Sequence, residues 1–304
     1  MKTRSGKGYS KTTPCPECTT HIYIKILNEQ ENHHNFQYQE GLNVCPDFKR
    51  GINCNFGFHF TDNFNFYKWL KFGDHYREVT NIKDMETGTC KTKYKCSSFV
   101  LGPRKEFSEL LVTEEQQLTA VTQDEYSIQY IKDPSEEIKL AAVSRIGYAI
   151  KYIKDPSEEI KLAAVTRNGE SIKYIKDLSE KVQLAAVSQN GYSIRWISFP
   201  SISVQLAAVT QDGDAIKYIK DPSEEVQLTA VTQYGRSIQW ISFPSISVQL
   251  AAVSQNGNAI QYIKNPSEKV QLTAVYEDGN AIQWIEDPSE KVQLVLTRNY
   301  LEEN

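Results

Sequence analysis

The sequence is 304 residues long, 40% apolar and 24% charged. That is long enough for two domains with cores of their own and too hydrophobic for a disordered chain. No stretch approaches the roughly 18 apolar residues of a membrane span, and the polar start MKTRSGKGYSK lacks the apolar run of a secretory leader; the expectation is a soluble intracellular protein with no membrane partner. The formal net charge of −4 is unevenly split: residues 1–111 carry 16 Lys and Arg against 12 Asp and Glu, and residues 112–304 carry 18 against 26.

Residues 1–19 read as a basic tail carrying a C-x-x-C. All six Cys and all five His precede residue 97, so metal or nucleophile chemistry is expected in the front of the chain. Cys15-Pro16-Glu17-Cys18 with His21 has the local spacing of a zinc knuckle, because a C-x-x-C turn aims two thiolates at one tetrahedral ion. No second C-x-x-C or H-x-x-x-H supplies the remaining ligands, so Cys45 and Cys54, or His21, would have to complete the site in space. The alternative is free thiols in a reducing compartment. No thioredoxin-like βαβ pattern surrounds the motif to make it a redox center.

Residues 20–111 are expected to form a small α+β head. HIYIKILN, GFHFT, YREVTNI and YKCSSFVLG read as strands rich in β-branched and aromatic residues, with DNFNFYKWLKFG as one short helix between two of them. The blocks NEQENHHNFQYQEGLNV, GFHFTDNFNFYKWLKFGDHYREV and FVLGPRKEF resemble the N-terminal domain that precedes ankyrin repeats in mimivirus-like proteins. That resemblance implies a viral protein, placed in the host cytoplasm or the virion, and brings no active site with it. The order His33/His34, then EGLNV, then GFHFTDN is similar to an ADP-ribosyltransferase pattern, in which Glu78 or Glu106 would be the catalytic acid. The usual H-G-T start is absent and His59 stands where an aromatic residue is expected, so the primary expectation is a non-enzyme. No segment carries a Cys-His protease signature.

From residue 112 the chain repeats every 22 residues, as in PSEEIKLAAVSRIGYAIKYIKD (134–155) and PSISVQLAAVTQDGDAIKYIKD (200–221). Eight units fill 112–287, and a truncated, polar ninth at 288–304 suits a cap. A 44-residue higher period repeats ISFPSISVQLAAV and spaces Trp196, Trp240 and Trp284. In Asp133-Pro134-Ser135-Glu136, Asp is expected to cap a helix with Pro at its first position and Glu completing a capping box. The recurrent Gly147, Gly169, Gly191, Gly213, Gly235, Gly257 and Gly279 are expected to end that helix in a position tolerating φ > 0. A hairpin of about ten and about six helical residues fits the period, giving an all-α solenoid. A leucine-rich repeat has a compatible length but needs an L-x-L strand that is missing.

The residue after each Gly varies most: Tyr148, Glu170, Tyr192, Asp214, Arg236, Asn258, Asn280. Freedom to differ within a fixed frame marks these as solvent-facing candidates for partner binding. A second stripe contains Lys151, Lys173, Arg195 and Lys217, and a third is aromatic. The bland readings are a solvated face and inter-repeat packing. The acidic balance of residues 112–304 argues against a nucleic-acid groove. Segments such as EVQLTAVTQYGRSIQW resemble short helical repeats of an uncharacterised family abundant in giant DNA viruses. The resemblance implies a fold and an origin without an activity. The functional expectation is a protein-binding scaffold, with a head-domain transferase or a structural virion component as alternatives.

Overall fold

The computed structural model describes residues 22–33, 36–49, 57–63, 65–87 and 92–295. The chain divides into two compact units, residues 1–132 and 133–304.

The first unit is built on an antiparallel sheet. Its strands are β1 (Tyr23–Leu27), β4 (Gly41–Val44), β5 (Phe58–Asp62), β6 (His75–Lys83), β7 (Glu86–Thr87), β8 (Tyr94–Cys96) and β9 (Ser98–Lys105), in the order β4-β9-β6-β1-β5-β8-β7. A separate ribbon pairs β2 (Asn32–His33) with β3 (Phe36–Gln37). The four expected strand segments are present, but YKCSSFVLG is two strands. Ser97 breaks it by donating its N–H to Lys83 O and its hydroxyl to Asp84 Oδ2 at 2.7 Å, so β8 pairs with β5 while β9 crosses to β6. The helix expected between strands is 3-10, Phe66–Phe72. Leu27, Tyr38, Phe58, Phe60, Val79, Cys96, Phe99 and Leu101 form the core, with aromatic rings meeting at angles, as in Phe58 on Phe99 at 5.0 Å. The first repeat belongs to this unit: α1 (Glu114–Gln123) starts from a reciprocal Thr113–Gln116 capping box, and Phe107 packs edge-on against Tyr130 at 4.9 Å.

The second unit is an α-solenoid. Its α-helices are α2 (Glu136–Arg145), α3 (Glu158–Arg167), α4 (Glu180–Gln189), α5 (Ile202–Gln211), α6 (Glu224–Gln233), α7 (Ile246–Gln255) and α8 (Glu268–Glu277). Each is followed by a six-residue 3-10 segment, from Gly147–Tyr152 to Gly279–Trp284. This is the ten-plus-six division that the period implied. Ile138, Ala142 and Val143 and their counterparts are buried in every unit, so each helix has a core only through its neighbours.

Two local expectations are corrected. The helix cap is Ser135, not Asp133: its side chain accepts from Ile138 N–H, Glu136 is the first helical residue, and no capping box forms. Asp133, Asp155, Asp177, Asp221 and Asn265 instead take left-handed backbone, with φ of 47–50°, which Asp and Asn tolerate better than other side chains. The repeat glycines do not have positive φ. They open the 3-10 segments, and a Cβ on Gly191 would stand 2.5 Å from the Ala208 carbonyl oxygen of the next unit. Close approach between units, rather than a left-handed cap, requires glycine there.

The 3-10 segments also contain a built-in comparison. At one buried position, Ala149, Ala215, Ala259 and Ala281 alternate with Ser171, Ser193 and Ser237. Ser237 donates to Asp214, but the buried hydroxyls of Ser171 and Ser193 have no hydrogen-bond partner among the described residues. Ser171→Ala and Ser193→Ala should therefore each stabilise the array by about 1 kcal/mol, since an unpaired buried hydroxyl carries its desolvation cost uncompensated. Urea unfolding of the two variants measures this, and a loss of stability would contradict it.

Candidate functional site

Several of the variable positions link one repeat to the next, and at Tyr148, Glu170, Tyr192 and Asn258 the identity matches the aromatic residue 26 positions on. In two units a Tyr faces a Tyr: Tyr148 meets Tyr174 and Tyr192 meets Tyr218, both edge-on at 5.9 Å, whereas Arg236 stands 26 residues before Tyr262. Where the later residue is Trp, an acceptor is present. Trp196 Nε1–H donates to Glu170 Oε2 at 3.0 Å, and Trp284 Nε1–H to Asn258 Oδ1 at 3.1 Å. Asp214 departs from this pattern and accepts from Arg236 Nη2 at 2.8 Å and Ser237 Oγ at 2.7 Å. The expectation that all these positions face solvent is thus corrected. Asp214 is buried, Tyr148, Glu170, Tyr192 and Asn258 are half-buried, and Arg236 and Asn280 are exposed. Coupling across the repeat junction restricts Tyr148, Glu170, Tyr192, Asp214 and Asn258.

Lys151, Lys173, Arg195 and Lys217 are exposed, and each lies over aromatic rings. Lys173 Nζ is 5.0, 4.9 and 5.9 Å from the ring centroids of Tyr148, Tyr174 and Trp196. Forty-four residues on, Lys217 repeats this with Tyr192, Tyr218 and Trp240 at 4.7, 4.9 and 5.7 Å. The aromatic stripe both packs between repeats and stays open: Tyr174, Trp196, Tyr218, Trp240, Tyr262 and Trp284 are 40–47% exposed. The result is a face of aromatic rings with cations interleaved on its first part, a composition that favours protein contacts.

The two ISFPSIS turns are the other unusual feature. Phe199 is 95% exposed and Phe243 94%, with Ile202 and Ile246 half-exposed beside them in the chain. Every other unit places Asp or Asn and then Glu at these positions, and the frame uses them. The Glu carboxylate accepts from the capping Ser of the next unit, as in Ser201 to Glu180 at 2.6 Å, Ser245 to Glu224 at 2.5 Å and Ser289 to Glu268 at 2.8 Å. Ile202 and Ile246 cannot accept, and Phe199 and Phe243 do not take the left-handed backbone of the Asp positions. Folding does not call for these side chains. Their signal was present in the sequence as an apolar exchange inside a charged stretch of the repeat.

In the head, His33 and His59 line one cavity, while Glu78 and Glu106 do not. Glu78 accepts from Lys105 Nζ at 2.8 Å on the sheet, and Glu106 belongs to the capping box of the 3-10 turn Phe107–Glu109. The transferase reading therefore has no carboxylate in that cavity among the described residues. Cys15, Cys18 and His21 lie outside the described residues, as does Cys54. Cys45 and Cys96 are free thiols, and burial pushes the Cys96 thiol up to about 12, which makes it an inert core group. No helix among the described residues is long and apolar enough to cross a membrane.

No family model matches this sequence, and no solved structure matches it. Two proteins of Acanthamoeba polyphaga mimivirus named as ankyrin repeat proteins are similar to it. R868 is 33% identical over 97 residues, which is 29% of this chain and 48% of the relative, and R896 is 39% identical over 89 residues, 27% of each. The chain spans about half the length of the first relative and about a quarter of the second. The matched lengths are those of a head-sized domain, and the 22-residue unit here differs from the roughly 33 residues of an ankyrin unit. With its β-rich front domain and tandem 22-residue units, the chain is a helical-repeat protein similar to repeat proteins of giant viruses.

Proposed function

We propose that this chain is a protein-binding scaffold whose solenoid engages a host or viral protein at two equivalent sites centered on Phe199 and Phe243. The observation that carries this reading is the pair of almost fully exposed phenylalanines, each with an exposed Ile three residues on, in turns where sibling units use charged residues that serve the frame. Exposed apolar side chains that folding does not need mark an interaction surface. The exposed cations Lys151, Lys173, Arg195 and Lys217, with Arg236 and Asn280, form its polar surroundings. Tyr148, Glu170, Tyr192 and Asn258 hold the aromatic residues in place, and Asp214 holds Arg236. The names of the two relatives as ankyrin repeat proteins support the same class of function. The 44-residue spacing makes the sites copies of one another, so a partner with two matching pockets would gain through effective concentration.

The test uses the full chain as bait in host-cell lysate, followed by titration of the captured partner. Phe199→Ser and Phe243→Ser should each weaken binding about tenfold, as expected for a buried aromatic anchor. The double variant should abolish capture, and the melting curve should stay where it is because neither side chain is buried. Undiminished capture by the double variant would remove these turns from the interface.

A further inference from the structure

A cavity of about 200 Å³ opens in the head against β1 and β5, lined by Lys25, His33, His59, Trp69, Phe72 and Lys93 together with Phe60, Thr61 and neighbouring β1 residues. Its charges are one-sided. No Asp or Glu lines it among the described residues, and its neutral polar groups are already engaged: Thr61 Oγ1 and Trp69 Nε1 both donate to Thr92 O, at 2.8 and 3.2 Å, and Asn28 and Asn32 bond to each other.

Lys25 is 4% exposed. Its Nζ donates to His59 O at 2.7 Å and lies 4.6 Å from the Tyr38 ring centroid, with no carboxylate partner among the described residues. Among the described residues, Lys93 Nζ has only the Trp69 face, at 5.3 Å. The buried Nε2 of His59 has no hydrogen-bond partner among the described residues. A buried ammonium without a counter-charge and a buried imidazole nitrogen without a partner are both costly. Burial, and then the charge of Lys93, lower the Lys25 ammonium to about 7. A bound anion would reverse both effects.

The remaining walls are largely apolar, with Trp69 and Phe72 rings 5.8 Å apart and tilted, and Phe60 also in the lining. The volume exceeds that of the roughly 150 Å³ cavity known to take benzene, so one six-membered ring with an acidic substituent fits.

We propose that this cavity binds a small aromatic acid, a carboxylate or phosphate monoester carried on a single ring, with Lys25 and Lys93 taking the anion and Trp69, Phe72 and Phe60 the ring. The site belongs to the head and does not depend on the solenoid reading.

Calorimetric titration of the full chain near pH 7.5 with benzoate, phenyl phosphate, inorganic phosphate and benzyl alcohol tests it. Benzoate and phenyl phosphate are expected to bind with proton uptake, seen as a buffer-dependent heat, and benzyl alcohol and inorganic phosphate at least tenfold more weakly. Lys25→Met keeps the stem and removes the charge, so it should cut benzoate affinity at least tenfold and abolish the proton uptake without lowering the melting temperature. Lys93→Gln, at a half-buried position, should weaken benzoate severalfold and serves if Lys25→Met fails to fold. Absence of binding by both acids at millimolar concentration, benzyl alcohol binding as well as benzoate, or affinity unchanged in the Lys variants would overturn the proposal. Equal binding of inorganic and phenyl phosphate would overturn the part played by the ring.

Discussion

Gly191→Ala is expected to cost about 3 kcal/mol, although alanine is normally the better helical residue. The added Cβ would lie 2.5 Å from the Ala208 carbonyl oxygen and 2.9 Å from Gln211 Oε1. The first of these is backbone within α5 and cannot move aside without displacing a helix that is packed on both flanks. Overpacking of this kind costs about 1–3 kcal/mol and occasionally more. A second loss adds to it, because Gly191 N–H donates to Gln211 Oε1 at 2.6 Å across the same junction and a shifted helix strains that bond. Asn in place of Gly191 separates the two explanations for the glycine. A left-handed cap would accept Asn with little loss, whereas a close approach penalises it at least as much as Ala. Repeat arrays can unfold in parts, so the readout is hydrogen exchange of the α4 and α5 amides beside urea unfolding. A change within about 0.5 kcal/mol for Gly191→Ala would show that the junction has slack the geometry does not.

The reasons behind these glycines mark how far the sequence could be read. The 22-residue period gives the solenoid, and the ten-plus-six division of each unit, because an element repeated eight times has one pattern and one length. Left-handed backbone and close approach both select glycine, however, and sequence alone does not separate them. Asp-Pro-Ser-Glu likewise offers two capping registers, and the structure uses Ser135 rather than Asp133. The variable positions were misread for a different reason. Variation within a single sequence looks the same whether a side chain is free or is matched to one partner, and Glu170 with Trp196, or Tyr148 with Tyr174, are matched pairs 26 residues apart. The Trp residues at 196 and 284 were a visible trace of that matching. In the head, strand content was legible from β-branched and aromatic runs. The cavity was not, because Lys25 and His59 come together through the β1–β5 pairing, and Trp69 and Lys93 through the segments that follow it.

Three blocks of the head that read as shared with viral relatives meet at one buried polar cluster, and removing its center should be the most damaging single change in that unit. Arg77 Nε donates to Glu31 Oε1 at 2.9 Å and Nη2 to Glu31 Oε2 at 3.2 Å, while Nη1 reaches Gly102 O at 2.7 Å and Glu40 at 3.3 Å. His75 is fully buried, with Nε2 3.0 Å from Glu31 Oε1 and Nδ1 2.9 Å from Asp74 Oδ1. Glu31→Gln leaves the mostly buried Arg77 without its principal counter-charge, a change that costs about 3–5 kcal/mol when a buried pair is broken on one side. The same geometry sets an acid limit. Burial alone would raise the Glu31 carboxyl, but hydrogen bonds from Arg77 and His75 outweigh it and hold the group below the usual carboxylate range. A depressed carboxyl contributes stability that is complete above the unfolded-chain value of about 4.3 and is lost as pH falls from there through the folded value. The head of the unsubstituted chain should therefore lose protection of its β1 and β6 amides steeply below about pH 4.3. Glu31→Gln should start less stable at pH 7 and show a flatter acid limb, because the titrating group is gone. Parallel acid limbs in the two proteins would mean that Glu31 titrates alike in the folded and unfolded chain, and that the Arg77 pair is not what holds β1 to β6.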